Sequence, residues 1–183
     1  MPSRSTIDRI GLWVATVCLG LASLAFATPT EDTSLDAIRA YLKISDQLST
    51  SGQITTEDIT KIQDAGFDVV VNLAPARKER NFEEGFRVTE AGMTYVQIPV
   101  DWQSPASRDL QMFFDVMEAN EDRNVYVHCF ANMRVSVFVY LYRTMKQGID
   151  KDTAMADLHK IWDPSEKDEW AQWVAFIEKA ERK

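Results

Sequence analysis

The chain has 183 residues, 45% of them apolar and 26% charged, and its 20 basic and 28 acidic side chains give a formal net charge of −8. Acidity of that size repels nucleic acid and anionic lipid surfaces at long range, which excludes a nucleic-acid function. Two cysteines and two histidines, with no clustered ligand spacing, argue against a structural zinc site.

The first residues read as an address rather than as fold. Arg4 and Arg9 precede an uncharged apolar run from Ile10 to Ala27, and Ala25-Phe26-Ala27 has the small-x-small pattern of a signal-peptidase site. Residues 1–27 are therefore expected to be a cleaved signal peptide, and the protein to be periplasmic or secreted with no membrane span left after cleavage. An uncleaved anchor is the alternative, although the run is somewhat short for a span of about 20 residues. Without that segment the net charge becomes −9, and roughly 156 residues remain, enough for one domain with a real core. Cys18 leaves with the signal, so Cys129 is the single thiol of an exported chain and has no internal disulfide partner. Such a thiol is either buried and inert or put to use.

Residues 28–40 read as a flexible lead-in, with the folded domain over 41–183. The stretch Ile44 to Gly52 suggests short strands and a turn. Thr55 and Asp58 are spaced like a capping box ahead of Ile59, Ile62 and Ala65, and Gly66 stands where a helix would end. Phe67 to Leu73 is a buried-strand run. Asn81 to Glu90 reads as a polar helix ending at Ala91-Gly92, and Met93 to Val100 as another strand. Ser104-Pro105 suits the cap and first position of a helix whose apolar face is Leu110, Phe113, Phe114 and Met117. Val125 to His128 is a third clear strand.

Val135 to Tyr142 is rich in β-branched and aromatic residues. It reads as a buried helix because the pattern continues to Gly148, which can stop it. Asp150 can cap a further helix containing Met155, Leu158 and Trp162. Trp170, Trp173, Val174 and Ile177 share one helical stripe and read as core. Strands alternating with helices imply an α/β fold with a central, mainly parallel sheet of about four to five strands flanked by helices.

The chemistry concentrates after Val127. His128-Cys129 ends a strand, and a helix begins a few residues later. A loop that opens onto a helix N-terminus presents unpaired amides, which cradle anions and stabilise a thiolate. Cys129 is a candidate nucleophile there, the amides of Phe130, Ala131, Asn132, Met133 and Arg134 a candidate phosphate cradle, and the Arg134 guanidinium a bidentate clamp. Those parts suit attack on a phosphate ester or sulfur transfer. Arg77, Lys78 and Arg80 follow a strand and either draw an anionic substrate to the sheet's carboxyl edge or form a solvated loop. Trp102 and Gln103 are candidates for the mouth of the site, and His159 reads as structural.

The His128-Cys129 loop resembles the signature of the cysteine-dependent protein tyrosine and dual-specificity phosphatases. The segments Ser45–Gln53, Ala65–Leu73 and Ala91–Asp101 are similar to the same family, in particular to the small bacterial branch containing the phosphatase-like domain of β-lactamase-hydrolase-like proteins. The likeness covers most of residues 40–145 and implies a dual-specificity-phosphatase-like fold. The family spaces its cysteine and arginine by five residues, whereas four lie between Cys129 and Arg134 here. Asn132 stands in the place of a family glycine, and Ser136 keeps the place of the family hydroxyl. A one-residue move swings a helical side chain by about 100°, so whether Arg134 reaches the phosphate is open. The shorter spacing also fits rhodanese-like sulfurtransferases, and a non-catalytic oxyanion-binding relative is a further alternative.

The resemblance implies roles. Cys129 attacks phosphorus, Asp101 acts as general acid, Ser136 donates to the sulfur, and His128 orders the loop by hydrogen bonding. For Asp101 the plainer alternative is a surface carboxylate or helix cap. No cofactor and no metal are expected. The substrate is expected to be a phosphorylated protein or small molecule, and nothing in the pattern fixes an oligomeric state.

Overall fold

The protein is described here from a computed structural model over residues 34–182. The expected signal peptide and residues 28–33 of the lead-in lie outside the described residues. The domain's packed segment begins before residue 41. Leu35–Ala37 forms a 3₁₀ turn capped by Ser34, and Ile38 is buried behind it.

Five strands form one sheet: β1 (Leu42–Lys43), β2 (Leu48–Ser51), β3 (Val69–Asn72), β4 (Thr94–Gln97) and β5 (Val125–His128). Their order is β1-β2-β5-β3-β4, with β1 antiparallel to β2 and the other pairs parallel. The mainly parallel α/β sheet expected from the sequence is thus present. β5 lies in the centre, and Val125 to His128 run in register with Leu48–Ser51 on one side and Val69–Asn72 on the other. A parallel central strand is buried on both faces, which is why β3 and β5 read as continuous apolar runs.

Six helices cover the sheet: α1 (Thr56–Asp64), α2 (Glu84–Glu90), α3 (Ser107–Glu118), α4 (Met133–Met145), α5 (Lys151–His159) and α6 (Ala171–Glu181). One core holds Val69, Val71, Val125 and Val127 against Leu110, Phe113, Phe138, Leu158 and Trp173. The other holds Val70 and Tyr126 against Ile59, Ile62, Phe67 and Val88. Alternation along β3 and β5 sends odd-numbered side chains to α3–α6 and even-numbered ones to α1 and α2.

Most local expectations hold. Thr55 and Asp58 make a reciprocal capping box, Asp150 caps α5, and Gly66 takes φ 82° just past α1. α4 is buried from Arg134 to Arg143, as its composition requires. Some boundaries shift. α2 starts at Glu84 rather than Asn81, and α3 starts at Ser107 with Ala106 as cap, because the Ser104 amide is used by Asp101 Oδ1. β4 stops at Gln97, since Val100 N turns to Ile98 O and Leu73 O instead of extending a ladder. No helix of the described residues is long and apolar enough to cross a membrane.

Candidate active site

All four parallel strands deliver their carboxyl ends to one place, the ordinary location of a ligand site in such sheets. β5 ends at His128, and Cys129 follows, fully buried, with its amide donating to Ser51 O at 3.3 Å. The chain then crosses β2. Gln53 N donates to Phe130 O at 3.3 Å, and Gly52 faces Ala131. A Cβ on Gly52 would stand 3.2 Å from Phe130 O and 3.0 Å from Arg39 O, so a larger residue would press on the loop by a few tenths of an ångström.

Asn132 makes the turn into α4 with φ 63° and ψ −5°, the left-handed conformation expected from its family position. Its Nδ2 donates to Ala40 O at 2.7 Å and to Thr50 Oγ1 at 3.0 Å, which fixes the turn to β2 and to the segment before β1. The amides of Phe130, Ala131, Met133 and Arg134 have no protein acceptor among the described residues. They belong to the loop and the first turn of α4, where four N–H groups are always left over.

Arg134 stands in that first turn and is 9% exposed. Its Nε donates to Val100 O at 3.0 Å, and its guanidinium lies 5.2 Å from the Trp102 ring. Burial pushes the Arg134 pKa down, opposed by the nearby Cys129 and by the Asp101 charge. Despite the one-residue shift in spacing, arginine and cysteine therefore lie in one neighbourhood, with the Val100 carbonyl holding the arginine through Nε.

Asp101 is exposed at the far side of Arg134. Its Oδ1 accepts from Gln103 N at 2.7 Å and Ser104 N at 3.1 Å. The turn is anchored by Trp102, whose ring centroid is 5.1 Å from that of Trp173 and 5.5 Å from that of Trp162. Trp102 thus joins the core and the arginine at once, whereas Gln103 is exposed. Trp170 and Val174 are half-buried, and Phe176 shares the buried stripe with Trp173 and Ile177.

Two expected roles need correction. Ser136 Oγ donates to Met133 O at 3.0 Å and accepts from Trp162 Nε1 at 3.0 Å. Its proton is committed to the helix backbone and is not offered to the sulfur. His128 does not order the loop with its ring. As the even-numbered residue it points to the α1–α2 face, opposite to Cys129, and its Nε2 lies 3.0 Å from Glu84 Oε1. That is an ion-pair distance off the hydrogen-bond axis, since neither ring nitrogen has an aligned partner. His159, by contrast, is exposed near Asp163.

Glu84 was not foreseen. Its carboxylate is 6% exposed and accepts from Asn72 Nδ2 and Gln53 Nε2 at 2.6 Å each and from Tyr95 OH at 2.9 Å. Burial raises its pKa, but contacts from His128, Tyr95 and Gln53 outweigh that and hold it below the ordinary 4.5. Burial, reinforced by the Glu84 charge, raises Tyr95. Among the described residues no group of side chains is arranged to hold a metal ion.

The loop thus holds a buried cysteine, amides without a protein acceptor among the described residues, and a buried arginine. The family described as "DSP-PTPase phosphatase fused to NAD+ Kinase" matches residues 27–174. The chain belongs to that family. A candidate phosphatase of the DUF442 group from Shewanella putrefaciens CN-32 has 37% identity and a TM-score of 0.71, over 81% of this chain and 92% of that one. TpbA of P. aeruginosa shares the fold at 18% identity and a TM-score of 0.61, over 76% and 83% of the two chains. PTPMT1 does so at 16% identity and 0.61, over 78% and 96%. No curated protein matches. Family membership supports a protein-tyrosine-phosphatase-type phosphatase rather than a sulfurtransferase.

Proposed function

We propose that the protein hydrolyses phosphate monoesters through a phosphocysteine. The observation that carries this reading is a buried cysteine at the head of a loop whose amides have no protein acceptor, with the buried Arg134 in the first turn of the helix that follows. The Cys129 thiolate attacks phosphorus, an S–P bond forms, and the bond to the leaving oxygen breaks. Asp101 gives that oxygen its proton. Asp101 then takes a proton from water, the water oxygen attacks phosphorus, and the S–P bond breaks to release inorganic phosphate and the thiolate. The loop amides and Arg134 stabilise the equatorial oxygens throughout as preorganised charge.

Cys129 has no exposed surface, so phosphate reaches the sulfur by displacing side chains at the loop's mouth, where Phe130 and Met133 are half-buried. The substrate is a phosphorylated protein or small molecule. The basic residues at 4 and 9, the apolar run to Ala27 and the Ala25-Phe26-Ala27 pattern support an exported enzyme working in the periplasm or outside the cell.

Hydrolysis of a generic aryl phosphate without metal, compared between the protein and its Cys129→Ser variant, is the test. Turnover abolished by the substitution is expected. Absence of turnover from pH 5 to 8 would sink the reading and leave an oxyanion-binding protein.

A further inference from the structure

Beside the catalytic loop, on the α1–α2 face, lies a cavity of about 740 Å³, a volume that suits a small molecule. Arg39, Lys78 and Arg80 line it, from three separate segments of chain. None of the three has an ion-pair partner among the described residues. In a chain with 28 acidic side chains, three unpaired cations at one opening are unexpected. Two of the four acids that share the cavity are spent, since Glu83 pairs with Arg87 and Glu84 faces His128. Glu57 and Glu79 remain to offset the three cations, which leaves a small positive excess.

The cavity connects to the nucleophile through one ring. The Arg80 guanidinium lies 4.8 Å from the Phe130 ring centroid and the Arg134 guanidinium 5.8 Å from it. The two cationic centres are therefore at most about 10.6 Å apart, those two distances laid end to end. Gln53 ties the two sites together further, lining the cavity while its amide holds Phe130 O.

Building on the phosphatase reading, we propose that Arg39, Lys78 and Arg80 form a second anion subsite, and that the substrate is a small phosphate ester carrying another phosphate on the order of 10 Å from the scissile one. Guanidinium groups bind phosphate oxygens bidentately, and the lysine ammonium adds a further charge. The subsite selects substrate and takes no part in bond cleavage.

The test uses Cys129→Ser protein, which binds without turnover, and two probes measured by calorimetry: hexyl phosphate and hexane-1,6-diol bisphosphate, whose extended chain holds its phosphates at about the required separation. The bisphosphate is expected to bind at least about tenfold more tightly, as one charge-assisted anchor supplies. Adding Arg39→Ala, Lys78→Ala and Arg80→Ala should shrink that advantage to about twofold or less. In the Cys129 background the same three substitutions should leave kcat/KM for an aryl monophosphate within about threefold, which also shows that the variant folds. Equal binding of the two probes, or an advantage that survives the triple substitution, overturns the subsite. Absence of aryl phosphate turnover with a cation-dependent bisphosphate advantage overturns the phosphatase reading and leaves the subsite standing.

Discussion

Glu84 and His128 meet behind the nucleophile, 3.0 Å apart and both almost wholly buried, on the face of the sheet that Cys129 does not see. The carboxylate also accepts from Asn72, Gln53 and Tyr95, so one side chain satisfies polar groups from β3, β4 and the segment after β2 while facing His128 of β5. Glu84→Ala would take the shared acceptor from all three donors, leaving Gln53 Nε2 with Ile54 O and Asn72 Nδ2 with Tyr95 OH. Taking a shared acceptor from buried donors costs roughly 1–3 kcal/mol for each one left unsatisfied, and a loss of at least that size is expected in the free energy of unfolding by denaturant.

The same carboxylate makes stability depend on acid. Its pKa in the folded state is below the ordinary 4.5, so as pH falls the unfolded chain takes up the proton first. The contribution is complete above about pH 4.5 and is lost as pH drops through the lower folded value. Unfolding midpoints measured from pH 7 to pH 3.5 should fall more steeply for the wild type than for Glu84→Gln. Parallel profiles would remove Glu84 as the source.

The limits of legibility follow from these residues. The strand, turn and cap patterns are local, and they located β2, β3, β5, α1, α4 and α5. The separation of His128 from Cys129 was also legible, because strand alternation alone places neighbours on opposite faces. The family role assigned to the histidine obscured it. Glu84 was not legible. It lies 44 positions from His128 in a short polar helix, and no periodic pattern marks a buried acid. Nor could spacing settle Arg134, whose reach depends on a carbonyl at Val100 brought in by another strand.

Asn132 carries a turn that most residues resist. At φ 63° an alanine side chain crowds its own backbone, at roughly 1–2 kcal/mol, and Ala40 O and Thr50 Oγ1 lose their donor. Asn132→Ala should lower stability by about 2–3 kcal/mol and Asn132→Gly by about 1 kcal/mol, since glycine restores the backbone but not the hydrogen bonds. Glycine should also retain more turnover. Thermal unfolding and aryl phosphate kinetics on the pair would check both.

Asp101 has one oxygen held by the amides of Gln103 and Ser104, and no hydrogen bond to Oδ2 is present among the described residues. If that oxygen protonates the leaving group, Asp101→Asn should lower kcat by roughly 10²-fold or more for a phenyl or alkyl phosphate. An ester whose leaving group departs without a proton should lose only a few-fold. Equal losses for good and poor leaving groups would reduce Asp101 to a turn-forming residue.

Arg134 stands one residue nearer to Cys129 along the chain than the family spacing, and its Nε is already committed to Val100 O. Only the two terminal nitrogens remain for phosphate. Arg134→Lys keeps the charge but loses the fork and the Val100 bond, so kcat should drop by about 10²–10³-fold, the loss typical of one oxyanion donor. A lysine variant within tenfold of wild type would mean that the amides alone bind the phosphoryl group.

Ser136 gives the sharpest check on the corrected site. Its hydroxyl proton goes to Met133 O, and its oxygen takes the Trp162 indole N–H. Ser136→Ala leaves Trp162 Nε1 with its second contact, Met133 O at 3.2 Å, so stability should fall by only about 1 kcal/mol. Because the hydroxyl is not aimed at the sulfur, breakdown of the phosphocysteine should stay within about threefold, and rapid-quench kinetics should show no new burst of product. A burst followed by slow turnover in Ser136→Ala would mean that the hydroxyl leaves Met133 and reaches Cys129 during the reaction.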